Sequence, residues 1–335
     1  MSEIVERIIS RAAGSNKTIV LPEGNDERVI KAAVAATKLN IAKIVLLGDE
    51  NKIRLNINKK YSEKIKILNP QKELKLQNLF ASALYDLRRD KGLTIEQARI
   101  EVKKPMVFAV MMAKLGYADG VVSGMITPTS DVIRPAFQII KPKSGVSKVS
   151  SFMIMEVPPE SGVGSNGVLF FADCGVIIDP SDQDLASIAI ETALSAKKLF
   201  NIKPKVALLS YSTHSSGVET PSVSKVKSAL KIVKQLRPDL IIDGEIQADA
   251  AINSAVSRLK CGSGDVLGGK SNVLVFPDIN SANISYKLVQ RIALTSAIGP
   301  ILCGLNKPVN DLSRGATSDE MVKVIAITAL QAAQI

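Results

Sequence analysis

Several residue types that build reactive sites are scarce in this chain of 335 residues. It has no tryptophan, a single histidine (His214) and three cysteines, and aromatic residues make up only 4%. A metal centre with several histidine ligands is therefore excluded, and a cysteine–histidine nucleophilic pair has only three possible forms. Cys174, Cys261 and Cys303 are widely spaced and lie in apolar or glycine-rich surroundings, so we expect unpaired, buried thiols.

Long apolar runs are also missing. No window approaches the roughly 18 consecutive apolar residues of a membrane-spanning helix. The segment Met1–Arg7 carries acids where a secretion signal has a basic start and an apolar core. With 46% hydrophobic and 22% charged residues, the composition is that of a globular protein, and the length favours about two domains. We therefore expect a cytoplasmic protein that has no membrane partner.

Positive charge is in excess. Lysine and arginine number 43 against 32 acids, a net charge of +11, which predicts an anionic partner. Nucleic acid, acidic lipid and a phosphorylated small molecule all meet this condition. The lysines are scattered, however, and the densest basic segment, Leu87–Lys91, lacks the long runs or interleaved aromatics typical of nucleic-acid binding. We therefore expect no nucleic-acid partner.

Short β-branched segments alternate with helical stretches along most of the chain. The first such unit is a strand over 18–21, a helix over 25–38 and a strand over 43–47. Further strands are predicted over 65–68, 120–123, 206–210, 240–242, 273–276 and 301–303. This alternation predicts an α/β fold with a largely parallel sheet, whose ligands bind beyond the carboxyl ends of the strands.

The region from 146 to 178 departs from this alternation. It contains two hydrophobic segments separated by a proline- and glycine-rich turn, with no helical pattern between them. This arrangement predicts an antiparallel hairpin. The hydrophilic segment Lys141–Gly145 just before it is the best candidate for a domain junction.

Two nucleotide-binding motifs occur without the structural context that they need. Gly162–Gly167 matches G-x-G-x-x-G but lies in the turn of the predicted hairpin. Gly264–Ser271 matches G-x-x-x-x-G-K-S but leads from a predicted helix into a strand, the reverse of a phosphate-binding loop. We interpret both as glycine-rich turns.

A first candidate anion site follows the strand over 120–123. A helix beginning near Ser130, capped by Thr129 or Ser130, would present its backbone amides to the crevice, with Arg134 about one turn in. A hydroxyl, free amides and a guanidinium together suit a phosphate. A capped helix with a solvated arginine explains the same pattern, and the spacing alone does not decide between them.

A second candidate site is the strand-to-helix loop over 307–315. Ser313 and Arg314 offer a hydroxyl and a bidentate anion-binding group. Asp319 and Glu320 fall in the first turn of the final helix, where Glu320 also completes a capping box with the threonine three residues earlier. The sequence leaves both a catalytic and a purely structural role open for these acids.

Together these segments resemble phosphate acetyltransferase, and the likeness runs from about residue 10 to the end of the chain. The segments that carry it are Leu21–Gly24, Thr129–Ala136, Phe276–Asn280, Ile298–Ile301 and, most specifically, Lys307–Gly315. The resemblance implies a two-domain, three-layer α/β/α enzyme similar in fold to isocitrate and isopropylmalate dehydrogenases. It implies one domain of residues 1–145 plus 300–335, a second domain of residues 146–299 containing the hairpin, and an active site in the cleft between them.

The activity implied is the interconversion of acetyl-CoA and phosphate with acetyl phosphate and CoA, in acetate metabolism. The family implies a cytoplasmic homodimer whose partners are CoA, acetyl phosphate and phosphate. It also implies no metal and no cofactor, since CoA is a substrate. A phosphate butyryltransferase or another longer-chain acyltransferase would share the phosphate and CoA residues, so the acyl-chain preference stays open. A dehydrogenase on the same fold would need clustered aspartates and a nucleotide loop, which the sequence lacks.

The resemblance also implies roles for individual residues. Arg134 and Arg314 match the family's phosphate and substrate arginines, and Arg88 matches an arginine associated with CoA binding. Ser313 matches the serine that contacts the reacting carbonyl, and Thr129 matches a hydroxyl residue of the phosphate pocket.

One position departs from the family pattern. The family places an aspartate seven residues after the serine, where this chain has Glu320, with Asp319 immediately before it. Either Glu320 replaces that aspartate with one extra methylene, or Asp319 takes its place through a shift in the helix start. We favour Glu320 as the base, because the apolar residues that follow align with the family's helix without a gap.

Overall fold

The structure is a computed structural model that describes residues 3–146 and 148–334. The chain forms two compact units. The terminal unit comprises Arg7–Lys143 and Leu305–Ile335. The central unit comprises Ser144–Gly304 together with the start of the chain up to Glu6.

The helices and strands are named here in chain order. Up to residue 143 they are α1 (Glu3–Ala12), β1 (Thr18–Leu21), α2 (Glu27–Lys38), β2 (Lys43–Leu47), α3 (Glu50–Leu55), α4 (Lys59–Ser62), β3 (Lys66–Leu68), α5 (Leu74–Arg88), α6 (Ile95–Glu101), α7 (Pro105–Lys114), β4 (Gly120–Val122) and α8 (Thr129–Pro135), which continues as a π-helical turn (Ala136–Ile140). Then follow β5 (Ser150–Glu156), β6 (Val168–Ala172), α9 (Asp182–Phe200), β7 (Lys205–Leu209), α10 (Pro221–Leu236), β8 (Ile241–Ile246), α11 (Ala248–Ile252), α12 (Ser254–Cys261), β9 (Val273–Val275), α13 (Ile279–Ile292), β10 (Ser296–Cys303), β11 (Val309–Asn310) and α14 (Ser318–Ala333).

The terminal unit is built on a parallel sheet with the strand order β11-β4-β1-β2-β3. In its central strand, Ile19, Val20 and Leu21 are all completely buried. Because successive side chains of a strand point to opposite faces, both faces of this sheet are covered. The helices α2 and α14 pack against each other, α14 packs on β1 and β4, and α7 also packs on β4.

The central unit has a mixed sheet with the strand order β10-β5-β6-β9-β7-β8. The strands β6, β9, β7 and β8 are parallel, whereas β5 pairs antiparallel with both β6 and β10. This confirms the predicted hairpin, and Gly162–Gly167 lies in its connection. Gly264–Ser271 leads from α12 to β9, so both motif matches are glycine-rich turns, as predicted. The α/β fold class is confirmed.

Two local expectations need correction. The helix α8 begins at Thr129, one residue earlier than predicted, and Pro128 precedes it without a side-chain cap, so neither Thr129 nor Ser130 is a cap. Proline suits this place because the first amide groups of a helix have no intrahelical partner, so its missing N–H leaves no helical hydrogen bond unmade. The strand β11 was not predicted, since a strand of two residues carries no periodicity.

Candidate functional site

In the sheet of the terminal unit, the order in which the chain adds strands changes direction at β1. From β1 the chain proceeds outward through β2 and β3, whereas β4 returns to the other side of β1 and β11 lies beyond β4. The loops after β1 and β4 therefore diverge and leave a crevice, which is the usual ligand position in an open α/β sheet. The loop after β11 reaches the same edge, because β11 runs parallel to β4.

Glu23, in the loop after β1, holds the loop after β4. Its buried carboxylate accepts hydrogen bonds from four consecutive backbone amides, two on Oε2 and two on Oε1. The donors are Gly124 (3.0 Å), Met125 (2.9 Å), Ile126 (3.0 Å) and Thr127 (2.7 Å). A single side chain thus determines the path of the backbone that leads into α8.

Arg28, in the first turn of α2, connects this region to the loop after β11. Its Nη1 donates to the carbonyl oxygen of Arg314 at 2.9 Å, and its Nη2 donates to that of Met125 at 2.9 Å. Its Nε and Nη2 also bind the carboxylate of Asp26, at 3.1 and 2.9 Å. The Asp26 carboxylate raises the pKa of Arg28, so the guanidinium stays charged. Arg28, on the β1 side of the crevice, therefore holds the backbone of the two loops on the other side, after β4 and after β11.

Asp311 lies directly after β11 and contacts the start of α8. Its side chain is 0% exposed, and its Oδ2 accepts a 2.7 Å hydrogen bond from the hydroxyl of Thr129. Its Oδ1 is buried and has no hydrogen-bond partner within the described part of the chain. A Cβ on Gly124 would come within 2.2 Å of Oδ1, and Gly124 has a φ of +114°, so only glycine allows this approach.

The environment of Asp311 disfavours its ionised form. Burial raises the pKa of Asp311 to about 7, and the negative charge of Glu23 acts in the same direction. The Thr129 hydroxyl and the Leu312 amide act in the opposite direction but do not offset burial. Perturbed carboxyl groups at a strand-end crevice are typical of functional sites.

The predicted catalytic loop is exposed above this buried layer. Ser313 and Arg314 are both exposed, and the Ser313 hydroxyl accepts a weak hydrogen bond from the amide of Gly315 at 3.4 Å. At the start of α14, Glu320 Oε2 accepts from the amide (2.7 Å) and the hydroxyl (3.2 Å) of Thr317. The predicted capping box is confirmed. Asp319 is exposed in the same turn.

Arg134 lies between two adjoining cavities of the terminal unit. One, of about 510 Å³, is lined by Glu23, Asp131 and Arg134 among others. The other, of about 410 Å³, is lined by Arg88 as well as Arg134. The structure thus brings these two predicted arginines to one cavity. Ser313, Arg314, Asp319, Glu320 and Thr129 are not among the residues that line either cavity.

The sequence analysis assigned no role to Glu23, Arg28 or Asp311. Glu23 and Asp311 stand just after the end of a hydrophobic strand, and Arg28 lies in the first turn of the helix that follows β1, so nearness to a strand end was the available signal. That signal was too weak by itself, because the partners of Glu23 lie about one hundred residues away and those of Arg28 up to 288. Only the fold brings these groups together.

Two further findings concern metals and membranes. Across residues 3–146 and 148–334, no group of three or more histidine, cysteine or acidic side chains is arranged to hold a metal ion. None of the helices within these ranges combines the length and the apolarity that crossing a membrane requires. The three cysteines are buried and, within the described residues, none of them forms a disulfide, as predicted.

Comparison with known proteins gives a consistent assignment. The family model described as phosphate acetyl/butaryl transferase matches residues 3–329. A phosphate acetyltransferase of Clostridium acetobutylicum is 48% identical over 335 residues, which cover 98% of both chains. The crystal structure of a phosphotransacetylase from Streptococcus pyogenes superposes with a TM-score of 0.90 at 41% identity, over 100% of both chains.

A more distant likeness concerns the fold alone. A 4-hydroxythreonine-4-phosphate dehydrogenase from Klebsiella pneumoniae matches 95% of this chain with a TM-score of 0.53 at 11% identity. The predicted relation to a dehydrogenase-like fold is therefore confirmed. The family model, the near-identical lengths and the crevice built from the strand-end loops agree, and the chain belongs to the phosphate acetyl/butaryl transferase family.

Proposed function

We propose that this protein is a phosphate acetyltransferase, which interconverts acetyl-CoA and phosphate with acetyl phosphate and CoA. The observation that carries the proposal is the likeness over the full length to relatives with that name. The crevice of the terminal unit supports it, because it gathers Ser313, Arg314 and Thr129 at one sheet edge. The net charge of +11 suits substrates that are all anionic.

Acetyl transfer is favoured over the butyryl alternative. The relatives that are 42–48% identical are named phosphate acetyltransferase. A branched-chain phosphotransacylase from Enterococcus faecalis is only 18% identical and shares the fold alone. We therefore infer acetyl as the transferred group.

Phosphate and CoA are assigned to the arginines. Arg134 and Arg314 bind phosphate and neutralise its charge, with the Thr129 hydroxyl as a further contact. Arg88 binds an anionic group of CoA, and the cavity that it lines together with Arg134 supports this, because two arginines beside one cavity suit an anionic ligand. The adjoining cavity provides room for an elongated ligand.

The transfer is direct attack of the CoA thiolate on the acyl carbon. A thiol with a pKa of about 8.5 is mostly protonated at neutral pH, so a base must take its proton. We assign Glu320 as the base that accepts this proton. As the carbonyl becomes tetrahedral, Ser313 donates a hydrogen bond to its oxyanion, and the phosphate leaves toward Arg314 and Arg134. No acyl-enzyme forms, no metal takes part, and CoA is a substrate rather than a cofactor.

We also propose that the protein is a homodimer. On α13, Ile284, Leu288 and Ile292 recur every four residues and are 56%, 53% and 77% exposed, so they form one apolar stripe along the helix. Leu294, just beyond the helix, is 90% exposed. A continuous apolar stripe of this kind is unfavourable in water and suits a second copy of the same surface.

We further infer that the protein works in the cytoplasm, in acetate metabolism. None of the three cysteines forms a disulfide within the described residues, which fits a reducing compartment. No nucleic acid or membrane partner is required by this function.

The decisive experiment measures CoA-dependent turnover of acetyl, propionyl and butyryl phosphate, with and without a chelator. We expect the highest kcat/KM with acetyl phosphate and no effect of the chelator. Equal or faster turnover of butyryl phosphate contradicts the acetyl assignment. Absence of turnover with all three contradicts the proposed function.

A further inference from the structure

Asp311 is a buried acid that the mechanism above does not use, and it is hydrogen-bonded to Thr129. Thr129 stands at the proposed phosphate site, and its hydroxyl donates its single proton to Asp311 Oδ2 at 2.7 Å. A hydroxyl has one proton and two lone pairs, so while it donates to Asp311 it can only accept from a ligand. A phosphate oxyanion needs donors, and in this state Thr129 offers it none.

Protonation of Asp311 reverses this arrangement. A protonated carboxyl donates to the Thr129 oxygen, and the threonine proton becomes available to a phosphate oxygen. We propose that Asp311 is a positioning residue that takes up one proton when phosphate binds and thereby turns the Thr129 hydroxyl from an acceptor into a donor. The proton comes from solvent, no covalent bond changes, and the proton returns to solvent when phosphate leaves. The inference rests on the proposed function, since it assumes that Thr129 contacts phosphate.

The surroundings of Asp311 support proton uptake near neutral pH. Its side chain is 0% exposed, and Oδ1 has no hydrogen-bond partner within the described residues, so a full negative charge there is poorly stabilised. Burial raises the pKa of Asp311 to about 7. A small change at the site, such as the arrival of an anion, is then enough to shift its protonation.

The groups that face this carboxyl come from the loops after β1, β4 and β11 and from the start of α8. From the loop after β1, the charge of Glu23 favours protonation of Asp311. From the loop after β4, Gly124 approaches the carboxyl closely, and it carries no titratable group. From Asp311's own loop, the Leu312 amide favours the ionised form of Asp311.

Arg28, on α2, does not neutralise Asp311. Its guanidinium donates to Asp26 and to the carbonyl oxygens of Met125, Arg314 and Ala316. The Arg314 side chain itself is exposed.

The test is the pH dependence of the KM for phosphate, measured from acetyl-CoA cleavage. If only the protonated form of Asp311 binds well and titrates near pH 7, the KM rises about tenfold between about pH 6 and about pH 8. Phosphate itself ionises in this range, so the Asp311→Asn variant provides the baseline. Asparagine can donate to Thr129 at every pH, so this variant should keep only the dependence caused by phosphate. The kcat of the wild type should change much less than its KM.

Variants at Thr129 make the test independent of how well Asp311→Asn folds. Thr129→Val removes the hydroxyl with little change in shape and should lose the additional pH dependence, whereas Thr129→Ser should keep it. Ser130→Ala is the matched control, since Ser130 is exposed beside Thr129, and it should retain the wild-type profile.

The outcomes separate this inference from the proposed function. Wild-type turnover with superimposable profiles for wild type and Asp311→Asn overturns the inference and leaves the function intact. If Thr129→Val keeps the wild-type pH dependence of the KM for phosphate, the inference is overturned as well, because protonation of Asp311 would then affect phosphate binding without the Thr129 hydroxyl. Absence of wild-type turnover contradicts the function itself. In that case calorimetric titration with inorganic phosphate still compares proton uptake by the wild type and Asp311→Asn, and equal uptake overturns the inference.

Discussion

Arg28 donates a hydrogen bond to the main-chain carbonyl oxygen of Arg314 at 2.9 Å, although 286 positions separate the two residues. The same guanidinium also holds the carbonyl of Met125 in the loop after β4. The proposed substrate arginine is therefore oriented through its backbone by a second arginine, which is itself anchored by the carboxylate of Asp26.

Removing this anchor should impair catalysis more than stability. We expect Arg28→Ala to lower kcat/KM roughly ten- to a hundredfold, the equivalent of one to two lost hydrogen bonds of a charged group. Steady-state kinetics and thermal unfolding, measured together, test this. Arg54→Ala is a matched control, since Arg54 pairs with Glu50 on an exposed surface and its loss should leave the kinetics unchanged. An equal loss in both variants contradicts a positioning role for Arg28.

Arg314→Ala tests the proposed phosphate contact directly. Removal of a donor to a developing anion typically lowers turnover by about 10²–10³-fold. Because Arg314 is exposed, the unfolding temperature should hardly change. Near-normal turnover, with phosphate saturating at its usual concentration, would refute the role assigned to this residue.

Glu320→Gln separates the catalytic role of this carboxylate from its capping role. Glutamine also closes a capping box, so the helix start should be preserved while the base is lost. We expect turnover to fall by about 10²–10⁴-fold with an unchanged unfolding temperature. Asp319→Asn, at the neighbouring exposed position, serves as the control and should have little effect. The reverse order of effects would assign the base to Asp319, and no effect in either variant would contradict general-base catalysis by this turn.

The buried Asp311 should make stability depend on pH in a defined direction. Its folded pKa of about 7 lies above the unfolded value, so below about pH 4 both states are protonated and the residue causes no penalty. As the pH rises from about 4 to about 7, the unfolded chain ionises first and the folded state loses at most about 4 kcal/mol. Asp311→Asn should therefore become more stable relative to the wild type over this range. Urea unfolding midpoints at several pH values measure the difference, and a constant difference would contradict the raised pKa.

The exposed stripe on α13 predicts the oligomeric state. Leu288→Glu places a charge in the middle of the stripe and should convert the proposed dimer into a monomer in light scattering. Leu55→Glu, at an 86% exposed position in the terminal unit, should leave the mass unchanged. A monomeric wild type, or a dimeric Leu288→Glu variant, contradicts the proposed interface.

Local sequence patterns were sufficient to predict much of the fold of this protein. The alternation of β-branched segments with helical stretches determined the α/β class, because both faces of a parallel sheet are buried and its strands are continuously hydrophobic. The capping box at Thr317 could also be predicted from a local pattern, because it depends on residues three positions apart. The misplacement of the α8 start by one residue shows the limit of such patterns, because the Thr129 hydroxyl is engaged by Asp311 and not by its own helix.

The sequence by itself determined the fold class and the family, and it predicted the candidate site residues, because each of these depends on short segments with a recognisable order. Only the tertiary structure decided how those residues are held. Glu23 binds four amides and Arg28 binds backbone carbonyls that lie far away in the chain. The burial of Asp311 likewise requires segments that are distant in the chain to pack together. Burial and long-range hydrogen bonds are properties of an assembled sheet edge, and the raised pKa of Asp311 follows from that assembly alone.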